Sequence, residues 1–181
     1  MLLKSGVNMK YTSESEPRQA LGHSLSLCRI RLLLWVFIIG LVISGVTAIP
    51  LETELGILTG WIGDGSGTAK WFMRIRDALV ETNAKFPFLA YGTDWLAFGH
   101  FVIAIAFIGP LRDPVKNIWV VEFGMIACVL VVPFALGMGA ARGIPIGWRL
   151  IDCSFGVLGI IPLWLCRREI QALARLATPA R

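Results

Sequence analysis

The segment Asp94–Lys116, DWLAFGHFVIAIAFIGPLRDPVK, decides the fold. From Trp95 to Leu111 it carries no formal charge, and Arg112, Asp113, Pro114 and Lys116 close it. A uniformly apolar run of this length is at the short end of what crosses a bilayer as a helix. It also holds His100, the only histidine expected inside a membrane segment. The chain's other long apolar runs flank it, so the expected fold is an all-α membrane protein. Its architecture is expected to be a four-transmembrane-helix bundle with one amphipathic interfacial helix in the first outer loop.

Bulk composition agrees. Of 181 residues, 56% are hydrophobic and 16% charged, with a mean hydropathy of +0.70. Soluble domains carry about 25% charged residues, so the solvent here is lipid. The net charge of +5 suits a membrane protein whose inner loops collect Lys and Arg. No basic run interleaved with aromatics appears, which argues against a nucleic-acid partner. Cys28, Cys128, Cys153 and Cys166 show neither C-x-x-C nor metal-ligand spacing, and read as small apolar residues.

Working back towards the N-terminus, residues 1–27 are polar and irregular, and are expected to form a disordered cytoplasmic tail that includes His23. Leu32–Leu51 follows without a charge, behind Arg29 and Arg31, and gives a first span over about 30–50. Val46-Thr47-Ala48 matches a signal-peptide cleavage pattern, but the polar stretch before the apolar core is longer than signal peptides carry. A retained anchor is the favoured reading. Gly40, Ser44 and Ala48 recur every four residues, a spacing that lets membrane helices approach.

Residues 52–93 are expected to form the one substantial loop. Gly60, Gly63, Gly65 and Gly67 lack the Gly-Lys-Ser/Thr ending of a phosphate loop and read as a flexible turn. Beyond them, Thr68–Asn83 has helical periodicity, with Trp71, Phe72, Ile75 and Leu79 on one arc. Such a helix would lie in the headgroup plane or cover the outer ends of the spans.

On the other side of the central segment, the second span covers 94–111, and the short link Arg112–Asn117 joins it to a third at 118–138. Pro133 leaves the carbonyl of Val129 without its donor, so a kink is expected there. Trp148–Cys166 gives the fourth span, 148–166, with Pro162 inside it; 169–181 is a short cytoplasmic tail with a helical start. These spans delimit a transmembrane domain over 28–168. Eleven Lys and Arg then fall on the side of the termini and six opposite, which orients both termini inwards. The expected location is the inner membrane of a bacterium.

Ionisable groups within spans are costly and are functional candidates by default. Asp94, His100, Arg149 and Asp152 would all sit towards the outer half. Arg149 and Asp152 are three apart and can pair on one helix. His100 and Asp152 lie at nearly equal depth below Trp95 and Trp148, so they are expected to face each other, with Arg149 above. The cluster could handle protons or a polar ligand; alternatively, its members satisfy one another and fix helix register.

A bis-histidine haem site would need a second membrane histidine, so no cofactor and no metal is expected. Glu122 is expected to pair with Arg112, Lys116 or Arg167. The expected function is therefore that of a non-catalytic subunit or scaffold of a membrane complex. Its partners would be the lipid bilayer and either another membrane protein or a second copy. A small transporter-like or enzymatic protein built on the outer polar cluster is the alternative.

Overall fold

In the computed structural model, which describes residues 15–62 and 67–177, every regular element is helical. In chain order these are α1 (Ser15–Ala48), α2 (Leu51–Ile62), α3 (Gly67–Lys85), a 3-10 turn (Pro87–Ala90), α4 (Tyr91–Ala106), α5 (Ile108–Arg112), α6 (Ile118–Ala141) and α7 (Ile146–Ala177). Four helical stretches are long and apolar enough to cross a membrane: Gly22–Ala48, Pro87–Arg112, Ile118–Ala141 and Ile146–Leu176. They fit a polytopic membrane protein.

Two boundaries differ from expectation. Residues 15–27, placed in an irregular tail, are the start of α1; residues 1–14 lie outside the described part. Pro17 falls in the first turn, where an amide has no intrahelical acceptor. His23 consequently belongs to a candidate span, so His100 is not the only histidine in one.

The second difference is α2, in the stretch read as loop. Pro50 breaks α1 and opens α2, whose first bond runs from the Glu54 amide to the Pro50 carbonyl at 3.0 Å. Glu52 and Glu54 lie in the first turn and suit the helix dipole. Gly60 is thus helical, while Gly63 and Gly65 lie outside the described residues.

The second span contains a break at Phe107. Pro110 cannot donate to the carbonyl of Ala106, so α4 stops and α5 restarts as one short turn. By contrast, α6 and α7 run through Pro133 and Pro162 as continuous helices.

Packing divides the described chain into two compact units. The first joins α1 up to Phe37 with everything from Phe107 onwards. The second is Ile38–Ala106.

In the first unit, α6 and α7 share the most extensive helix–helix contact. They are antiparallel, since Gly124 lies near Leu163 and Gly139 near Arg149. Cys153, Gly156, Leu163, Cys166, Ile170 and Leu173 form the buried stripe of α7, at spacings that keep one helical face. Ile30 and Leu34 of α1, Phe107, Pro110, Val120 and Val121 complete the core. Phe37 and Phe107 stack at 4.7 Å between centroids.

The turn between α6 and α7 is closed by bonds from the Ile144 amide to the Gly139 carbonyl at 2.8 Å and from Gly143 to Ala140 at 3.1 Å. This is the Schellman pattern. It places Gly143 at φ +67°, where a side chain is disfavoured.

In the second unit, α2 and α3 form an antiparallel helical hairpin. The Asn83 amide donates to Glu52 at 2.6 Å, and Arg76 donates to the Thr59 hydroxyl at 3.4 Å. Leu55 and Ala69 are buried. The last turns of α1 cross α4 closely: a side chain on Gly45 would meet the Phe101 ring at 2.7 Å and the Ala97 carbonyl at 3.1 Å.

Candidate functional site

The four residues singled out by sequence divide between the units. Asp94 and His100 stand on α4 in the second, Arg149 and Asp152 on α7 in the first.

Asp94 lies in the first turn of α4, where a carboxylate suits the amide-rich helix end. It lines a shallow open hollow of about 240 Å³ with Tyr91, Trp95 and Phe98. The three rings stack edge to face, Tyr91 on Trp95 at 5.8 Å and Trp95 on Phe98 at 5.4 Å. This is an aromatic ladder along one helix face, of the kind favoured at membrane interfaces.

His100 sits two turns further on. Its Nδ1 is 2.8 Å from the Leu96 carbonyl, so in the tautomer that donates there the ring satisfies itself on its own helix and presents Nε2 as an acceptor. Its Cβ lies close to Gly45, which is what allows α1 to approach at this level.

Arg149 turns to the backbone of α6 instead of to Asp152. Its Nη1 donates to the Leu136 carbonyl at 3.4 Å, and its methylenes lie over Gly139, where any side chain would displace them. The Nε of Arg149 is buried without a partner. Asp152 is half-buried and forms no ion pair among the described residues. Next to it, Cys153 is buried, with Sγ 3.9 Å from the Val132 carbonyl.

No family model, curated protein or solved structure matches this chain.

Charge is better organised at the other end of the first unit. Arg167 Nε meets Glu122 Oε1 at 2.8 Å, which selects one of the three cations expected for Glu122. In the amide orientation that satisfies both groups, Gln171 accepts from the two terminal guanidinium nitrogens of Arg167 at 3.0 and 3.1 Å. Arg29 of α1 reaches Glu169 at 3.8 Å. In the nearby link, Asp113 accepts from the Lys116 amide at 3.1 Å and pairs with its ammonium at 3.1 Å. Those bonds hold the Asp113 carboxyl below its ordinary pKa of 3.8. The Asn117 amide donates to the carbonyls of Gly109 and Asp113, tying α5 to α6.

The spacing 167, 171 with Glu122 opposite was open to a sequence reading only in part, because partner choice needed the helix register.

Among the described residues, no group of three His, Cys, Asp or Glu is gathered as a metal site would require. The apolar arc of α3 (Trp71, Phe72, Ile75 and Leu79) is half-buried, and α2 packs against the same helix. The exposed apolar residues of this hairpin include Ile57 and Trp61 on α2, the latter 87% exposed.

Proposed function

We propose that the chain is a non-catalytic subunit or scaffold of a membrane complex, with its four spans gathered as a bundle. One observation carries this reading: no polar or charged residue is fully buried among those described. Acid–base and transport sites work by desolvating a few polar groups in a fixed arrangement. Here His100 Nδ1 is engaged by its own helix and Arg149 Nη1 by a neighbouring carbonyl, so neither side chain is paired with a carboxylate among the described residues. Meanwhile Trp35 and Ile43 of α1, Phe98 and Ile105 of α4, Phe134 of α6, and Phe155 and Leu158 of α7 are exposed, which demands lipid or partner helices around them.

The test is purification from native membranes in mild detergent. A stoichiometric membrane partner, or a defined homo-oligomer, is the expected result. A lone monomer that transports a solute in vesicles would overturn the proposal.

The alternative, a transporter-like or enzymatic protein, draws on half-buried Asp152, which lies in a candidate span without an ion-pair partner among the described residues. In that reading Asp152 faces His100. His100→Ala and Asp152→Asn would then abolish activity at normal abundance, whereas loss of abundance alone marks a structural pair.

Two finer features belong to the same proposal. Both termini face the cytoplasm, as the distribution of Lys and Arg supports. The α2–α3 hairpin lies along the opposite membrane surface. A spin label at Trp71 should then meet a lipid-soluble quencher more than one at Lys70, and equal access would remove the interfacial placement.

A further inference from the structure

The charged end of the first unit has more cations than its carboxylates neutralise. Each of the three carboxylates there has one cation: Asp113 has Lys116, Glu122 has Arg167 and Glu169 has Arg29. Arg31, Arg112 and Arg168 are exposed and have no carboxylate within ion-pair distance among the described residues.

Their level is set by the fold. The Arg29–Glu169 and Glu122–Arg167 contacts bring the starts of the apolar parts of α1 and α6 to the end of that of α7. Arg31 immediately precedes the uncharged run from Leu32. Arg112 ends the run Trp95–Leu111, and Arg168 follows Cys166 at the end of the fourth. The Arg168 guanidinium lies 4.8 Å over the ring of Trp164, itself 47% exposed. A tryptophan under an arginine at the edge of an apolar stretch places that cation at headgroup depth. Arg175, also exposed, stands about 10 Å further along α7.

We propose that this end of the first unit binds anionic phospholipid headgroups, with phosphate oxygens on Arg31, Arg112 and Arg168 where no carboxylate of the chain reaches. The proposal rests on the chain being a membrane protein. The planar fork of arginine suits a phosphate bidentately, and the paired residues beside it hold the helix ends that present it. The neutralised Arg29, Lys116 and Arg167 serve the fold, and the three free arginines serve the lipid.

The test uses the full chain in two steps. Flotation with vesicles of pure phosphatidylcholine, and of phosphatidylcholine with phosphatidylglycerol, first establishes membrane insertion. Native mass spectrometry from mixed micelles holding equal amounts of the two lipids then counts what is retained. Wild type is expected to float with both vesicles and to retain phosphatidylglycerol preferentially. The triple variant Arg31→Gln, Arg112→Gln, Arg168→Gln should lose that preference by roughly fivefold per arginine. Arg→Lys at the same three positions should keep most of it, which separates lost charge from failed folding.

Equal retention of both lipids by a wild-type protein that floats overturns this proposal and leaves the membrane reading standing. Failure to float with either vesicle overturns both. An acidic protein that copurifies with wild type and is lost from the triple variant, without any lipid preference, assigns the arginines to a protein partner and overturns the lipid proposal.

Discussion

Gly156 is where the packing of α6 against α7 is most sharply testable. A Cβ built there falls on the carbonyl oxygen of Cys128 and lies 3.0 Å from Val131 Cγ1. A backbone carbonyl cannot rotate away as a side chain does, so Gly156→Ala must push the two helices apart. Overpacking of this kind costs about 1–3 kcal/mol. Against it stands the gain in helix propensity when Ala replaces Gly, about 1 kcal/mol.

Gly137 on α6 supplies the control, because a Cβ there meets nothing within 4 Å. Gly137→Ala collects the propensity gain alone, so the propensity terms cancel between the two variants. Gly156→Ala should therefore be less stable than Gly137→Ala by about 1–3 kcal/mol. Gly124→Ala should fall between them. Its new methyl would meet the ends of Phe107 and Leu163 at 2.7 and 2.9 Å, and side-chain ends can shift partly. The assay is unfolding by sodium dodecyl sulfate titration in a single mild detergent, followed by circular dichroism. Gly156→Ala as stable as Gly137→Ala would refute the close approach of α6 and α7 at this point.

Gly143→Ala should cost about 1 kcal/mol in the same titration, because the residue sits at φ +67°; no loss would mean that the Schellman turn does not form. A double-mutant cycle of Glu122→Gln with Arg167→Gln should give a coupling of about 0.5–1 kcal/mol, kept small by solvent at side chains that are 41% and 37% exposed. Zero coupling would remove the pair. The Asp113 carboxyl, followed by NMR, should titrate below 3.8, since its ionised form accepts the Lys116 amide; a midpoint at or above that value contradicts the turn. Maleimide applied to sealed cells should label a single cysteine at position 65 and spare one at 178, and labelling at 178 would invert the proposed orientation.

The four spans were legible because their evidence is local. An apolar run bounded by charge states its own length, and the observed helices contain or closely overlap the expected ones. Helix α2 was missed although Pro50, Glu52 and Glu54 spell an N-terminus and Leu51, Leu55, Leu58 and Ile62 fall at helical spacing. The glycines that follow drew the whole stretch into a loop reading. The early start of α1 is hidden for the opposite reason: its first turns are polar, and a polar stretch carries no apolar periodicity to announce a helix.

Helix partners were much less legible, and the glycines show why. Gly40 has the spacing of a point of approach, yet a Cβ there meets nothing within 4 Å. The close contacts include those at Gly45, Gly124, Gly139, Gly156 and Gly159. A soluble helix names its packing face by being apolar on one side only. Helix α6 is apolar nearly all round, since lipid tolerates what a core tolerates, so hydrophobicity cannot point to α7. What remains is shape. Gly124 and Cys128 are one turn apart on α6, and they meet Leu163, Gly156 and Gly159 of α7 in antiparallel order. That register then decides the polar partners: with Gly124 opposite Leu163, Glu122 comes within reach of Arg167 one turn further along α7. Glu122 alone offered three candidate cations, and only the fit of small residues along the α6–α7 seam selects among them.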